Sequence, residues 1–226
     1  MKVKEKILLG EKELKELGPI TIVALGDSIT HGGMNGYVDQ ENVYHNRLKK
    51  KLNAYRDYMP VNVINSGIGG TTAELALKNI EARVFRYQPD LVTVCFGLND
   101  VHTPLKTYLS SLEGIFEECK KREVDVIFMT PNTMNTYVAK DTPPELLGFA
   151  ERTAREQTDG TMDNYIYSAI ELAKSLSVPV CDCYKKWKDL AKKEDTTLLL
   201  ANRINHPLPE MHELFAESLF ELIMKE

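Results

Sequence analysis

Four short stretches hold residues that could do chemistry together. In the first, Gly26-Asp27-Ser28-Ile29-Thr30, a serine follows a glycine and an apolar run. A serine so placed can expose its hydroxyl at the start of the next segment, where backbone N–H groups face a developing negative charge, and this suits a nucleophile. The second stretch is Asn65-Ser66-Gly67-Ile68-Gly69-Gly70-Thr71-Thr72, the third Gly97-Leu98-Asn99-Asp100, and the fourth Asn202-Arg203-Ile204-Asn205-His206-Pro207. A glycine can bring a backbone N–H close to an oxyanion, an asparagine can donate its amide to one, and a histidine can act as general base.

Each stretch also has an ordinary structural use. Gly-Asp-Ser is common turn chemistry, with the serine as an N-cap. The glycines at 67, 69 and 70 could form a tight turn into a helix, and as a phosphate cradle they lack the Lys-Ser/Thr that ends a Walker-type loop. Asn99 could cap the next element, and His206 could simply precede the last helix. His212-Glu213 begins like H-E-x-x-H, but position 216 is alanine, so the second ligand is missing. Cys95, Cys119, Cys181 and Cys183 read as buried thiols, and the C-x-C pair fits neither zinc nor dithiol redox spacing. No metal or cofactor is expected.

The elements that carry the stretches decide between these uses. Five apolar or β-branched runs recur, at residues 20–25, 61–64, 91–96, 124–129 and 178–181. Helical spacing follows at about 43–55, 72–86, 105–122, 162–176 and 209–224. Strand alternating with helix predicts a five-stranded parallel sheet covered on both faces, a three-layer α/β/α sandwich of the flavodoxin-like type. In such sheets ligands bind beyond the carboxyl ends of the strands, and the first three stretches directly follow strands one, two and three. A length of 226 residues fits one domain, with residues 1–18 as an N-terminal extension. Residues 131–160 form an insertion long enough to wall a site and hold a charged helical piece near 151–156.

Acidic residues exceed basic ones by 33 to 28, and no apolar run approaches the roughly 18 residues of a membrane span. Neither nucleic acid nor a membrane is an expected partner. The first ten residues contain only a three-residue apolar stretch before Glu11-Lys12-Glu13, unlike a secretory signal, and a cytoplasmic location is the expectation.

Together the four stretches resemble the blocks of the SGNH, or GDSL, hydrolase family, from about Ile22 to the final helix. The resemblance implies a serine esterase in which Ser28 is the nucleophile, Gly70 and Asn99 donate to the oxyanion and His206 is the base. The family usually carries an aspartate three residues before its histidine, and here Arg203 stands at that position. Asn202, Asn205, Asp195 or a backbone carbonyl is then left to orient the imidazole. No G-x-S-x-G elbow is present, which argues against the larger α/β-hydrolase class. Asn132, Asn135 and Tyr137 in the insertion favour a small polar ester, such as an O-acetyl group on a carbohydrate, with Asp27 and Asn132 as expected substrate contacts. A thioesterase or lysophospholipase is the alternative within the family. Outside it stands a non-catalytic module that holds phosphate or sugar on the same rim.

Overall fold

A computed structural model describes residues 2–225. Its strands are β1 (Ile20–Gly26), β2 (Val61–Gly67), β3 (Leu91–Cys95), β4 (Asp125–Met129) and β5 (Val180–Cys181). They form one parallel sheet in the order β2-β1-β3-β4-β5. This is the flavodoxin-like order, whose direction of winding reverses between β1 and β3 and leaves a crevice above their carboxyl ends. Side chains alternate across the sheet, as strand geometry requires. Val23, Leu25, Val92, Val94 and Phe128 enter one apolar core, and Ile20, Ile22, Ala24, Leu91 and Cys95 enter the other.

The helices in chain order are α1 (Lys2–Leu8), α2 (Glu11–Leu17), α3 (Ser28–His31), α4 (Tyr44–Asn53), α5 (Ala73–Lys78), α6 (Ile80–Arg83), α7 (Leu105–Lys121), α8 (Leu147–Thr158), α9 (Thr161–Ser175), α10 (Cys183–Leu190) and α11 (His212–Met224). Helices α5, α7 and α9 fill the first core, the last two through Leu112, Ile115, Ile166 and Ile170. Helices α4, α10 and α11 fill the second, with Leu48, Trp187 and Phe215 fully buried. Among the described residues, no helix is long and apolar enough to cross a membrane.

The structure refines the sequence reading in several elements. The single helix expected over 72–86 is broken: α5 ends at Lys78, and Asn79 sits at φ −118°, ψ 19° before α6 starts. The Asn79 amide donates to the Leu75 carbonyl at 2.9 Å, the local competition with the backbone that makes asparagine a poor helix-interior residue. Helix α10 has no counterpart in the expected set. It follows a two-residue strand directly, and the Asp182 carboxylate starts it by accepting from the Lys185 N–H at 3.0 Å. The N-terminal extension is part of the fold, since Val3, Ile7 and Leu14 are buried in the second core. The charged piece expected near 151–156 is the longer α8.

Candidate active site

Strand β1 ends at Gly26, and the chain turns at once into the four-residue α3, whose first residue is Ser28. Asp27 makes the turn, its Oδ1 accepting from the Ile29 N–H at 2.9 Å. Ser28 stands half-buried at the rim. Its Oγ lies 3.0 Å from His206 Nε2, across 178 residues of sequence.

The other face of the imidazole ring answers the question that Arg203 raised. His206 Nδ1 lies 2.6 Å from the backbone carbonyl of Met34. A carbonyl only accepts, so Nδ1 carries the proton and Nε2 presents its lone pair to the Ser28 hydroxyl. Met34 is held by a small hairpin after α3, where Gly33 bridges Val38 and the Met34 N–H donates to the Tyr37 carbonyl at 2.9 Å. The hairpin packs directly on the pair: a methyl group at Gly33 would sit 3.2 Å from Ser28 Cβ and 3.3 Å from His206 Cε1. Burial lowers the His206 pKa from its ordinary value, opposed by the bond to the Met34 carbonyl.

The expected side-chain partners of His206 are employed elsewhere. Asn202 Oδ1 accepts from the N–H groups of Ile204, Asn205 and His206 at 3.0, 2.9 and 3.0 Å, and so shapes the loop rather than the ring's tautomer. Asn205 Oδ1 accepts from Asn202 Nδ2 at 2.9 Å. Asp195 starts the turn at 196–199 and accepts from the Tyr137 hydroxyl at 2.6 Å. Arg203, at φ 58°, points away to Asp141 and the Leu198 and Leu200 carbonyls.

On the other side of Ser28 stand Gly70 and Asn99. Gly70 has φ 72°, a left-handed conformation that favours glycine, in the turn closed by the Thr71 N–H on the Ile68 carbonyl. Among the described residues, neither the Ser28 nor the Gly70 N–H has an acceptor. Asn99 Nδ2 donates one hydrogen to the Thr71 carbonyl at 3.0 Å, which fixes the amide and leaves its second hydrogen free. Two residues that the sequence reading gave no role hold this arrangement. Asp100 accepts from the Ala73 N–H at 2.9 Å and the Gly97 N–H at 3.1 Å, joining the Asn99 loop to α5. Arg83 Nη2 reaches the Gly26 and Ser66 carbonyls at 3.1 and 2.5 Å, tying the ends of β1 and β2 from below. Burial pushes the Asp100 carboxyl up to about 6.

Ser28, Gly70, Asn99 and His206 line one cavity of about 350 Å³. Asp27 and Asn132, the expected substrate contacts, do not reach it. Both are fully buried. Asp27 lies beneath the site, where burial, and to a lesser degree the nearby Asp100, push its carboxyl up to about 7. Asn132 Nδ2 donates to the Thr133 and Asn205 carbonyls at 2.8 and 2.9 Å, bracing the His206 loop. Asn135 is buried in the same way, bonded to the Tyr137 and Ala150 carbonyls. What the insertion contributes to the cavity is Leu146 and Phe149. The legible signal was the apolar Leu146-Leu147-x-Phe149 at the start of an otherwise charged segment.

A sequence model for the GDSL-like Lipase/Acylhydrolase family matches residues 24–214, a span that holds all four of these residues. The chain belongs to that family. This GDSL-like acylhydrolase is accordingly a carboxylic ester hydrolase, as the resemblance of its blocks implied. Solved structures share its fold. Axe2, an acetylxylan esterase from Geobacillus stearothermophilus, is 22% identical over 92% of this chain and 95% of its own, with a TM-score of 0.71. A lipase/acylhydrolase from Enterococcus faecalis is 26% identical over 91% and 95%, with a TM-score of 0.72. No curated protein matches the chain.

Proposed function

We propose that this acylhydrolase removes small acyl groups, acetyl above all, from a neutral polar alcohol such as a carbohydrate, through a Ser28 acyl-enzyme. The 3.0 Å approach of His206 Nε2 to Ser28 Oγ carries the mechanism. As Ser28 Oγ attacks the ester carbon, His206 Nε2 takes its proton, and the N–H groups of Ser28 and Gly70 with the free hydrogen of Asn99 hold the oxyanion. Collapse breaks the bond to the alcohol oxygen, which leaves with the proton from His206. Water then attacks the acyl group, His206 takes a proton from it, and the acid departs as Ser28 recovers its hydrogen.

The composition of the cavity supports the substrate class. Among the described residues, no acidic or basic side chain other than His206 lines it, so none of them would hold the phosphates of a coenzyme A thioester or a lysophospholipid headgroup. Its volume of about 350 Å³ must take both the acyl group and the alcohol, which leaves little room for a long chain. The fold shared with an acetylxylan esterase agrees with this reading. On one leaving group, kcat/KM is expected to fall about 10²-fold between acetyl and octanoyl esters, because a long chain outgrows a cavity of this size. An octanoyl ester hydrolysed as fast as the acetyl one would remove the proposal. Labelling by a fluorophosphonate, lost in Ser28→Ala, tests the covalent step separately.

The state of His206 sets a pH dependence. The imidazole must be neutral to accept the Ser28 proton, so activity is present above its pKa and lost as pH falls through it. Burial has lowered that pKa, and the acid limb of kcat/KM is therefore expected below the ordinary histidine value of about 6.5. A limb centred above 7 would mean that another group is the base.

A further inference from the structure

One wall of the cavity is built by the insertion, and it is fixed to the catalytic side of the molecule. Phe149 retains 36% exposure while lining the cavity. Its ring meets the His102 ring at 5.9 Å between centroids and an angle of 67°. His102 belongs to the turn directly after Asn99. Its Nδ1 lies 3.3 Å from Glu156 Oε1, and that carboxylate, 12% exposed, also accepts from Arg152 Nε at 2.9 Å. Helix α8 is thereby clamped to the loop of Asn99, and the Phe149 ring is positioned before any substrate arrives. The same cavity is lined by Asn35, an exposed residue of the hairpin that supplies the Met34 carbonyl, and its amide has no partner among the described residues.

An open aromatic ring and a free neutral amide in one uncharged cavity match the chemistry of a sugar ring. The C–H face of a pyranose carries small positive charge and stacks on the negative face of an aromatic ring. Its hydroxyls both donate and accept, as a carboxamide does. A preset ring binds without the cost of ordering a side chain.

We propose that Phe149 and Asn35 form a subsite for the alcohol half of the substrate, in which a neutral sugar ring lies on Phe149 and hydrogen-bonds to Asn35. The proposal rests on the esterase reading above and adds to it the residues that choose the alcohol. The experiment compares acetylated xylooligosaccharides with ethyl acetate, whose alcohol half has no sugar ring to stack and no further hydroxyl to bond. In Phe149→Ala and in Asn35→Ala, the ratio of kcat/KM for the sugar ester to that for ethyl acetate is expected to fall about tenfold, through KM. Phe149→Tyr, which keeps the ring, should restore the ratio. Leu147→Ala, an exposed change on the same helix outside the cavity, should leave it alone.

An unchanged ratio in both alanine variants, with the sugar esters still hydrolysed by wild type, overturns the subsite and leaves the esterase standing. Equal losses on both esters also overturn it, since the residues would then act on the catalytic pair. A wild-type enzyme that cleaves ethyl acetate and ignores sugar acetates removes the sugar reading itself.

Discussion

Replacing Ser28 by alanine is expected to lower turnover of an acetyl ester by about 10⁴-fold or more, with the fold intact. The hydroxyl is half-buried at the rim, and its hydrogen-bond partner is His206 Nε2 rather than any core group. Its removal therefore costs little stability while deleting the atom proposed to form the acyl-enzyme. His206→Ala should cost nearly as much, because a serine without its base is a poor nucleophile at neutral pH. The double variant should be little worse than either single one, since the two side chains act as a unit. The measurement is hydrolysis of p-nitrophenyl acetate by the three variants, with urea midpoints showing that each remains folded. Wild-type turnover by Ser28→Ala would end the assignment, and strictly multiplicative losses in the double variant would end the claim that the pair works together.

That Ser28, Gly70 and Asn99 come together in one cavity was legible in the sequence because side-chain chemistry and strand ends coincide. Ser28, Gly70 and Asn99 each follow a strand of the sheet, and strand periodicity placed those ends to within a few residues. The partner of His206 was not legible in the same way. A backbone carbonyl has no residue-type signature, and the one at Met34 becomes an acceptor only because the 33–38 hairpin aims it at the ring. Asparagine misled for a related physical reason. Its amide serves caps, loops and substrates equally well, so Asn132, Asn135, Asn202 and Asn205 looked available, yet Asn132 and Asn135 are buried away from the cavity, and Asn202 and Asn205, which line it, are bonded to each other.

In the proposed mechanism, a carbonyl in place of the usual carboxylate also changes how the base works. It fixes the tautomer as well as an aspartate would, and tautomer loss is the larger part of what a missing triad aspartate costs. It brings no negative charge to steady the imidazolium that forms as Ser28 attacks. Under that mechanism, more of the transition-state stabilisation falls to the oxyanion donors.

Asn99→Ala should therefore show a loss concentrated in kcat. Removing one oxyanion donor costs about 10²- to 10³-fold, or about 2.7 to 4 kcal/mol, and the effect falls on kcat because the bond tightens only as negative charge develops. The variant gives up a single bond inside the protein, to the Thr71 carbonyl at 3.0 Å, beside a cavity where water can replace it. Its urea midpoint should stay close to that of wild type. Asn99→Asp is the sharper form of the test. It keeps the size and shape of the side chain but turns a donor into an anion facing the oxyanion, and its activity should fall below that of the alanine variant at pH 7, with the ratio of the two at equal pH rising as the new carboxylate is protonated. An aspartate variant more active than the alanine one at pH 7 would show that Asn99 supports the loop through Thr71 and does not donate to the reacting ester.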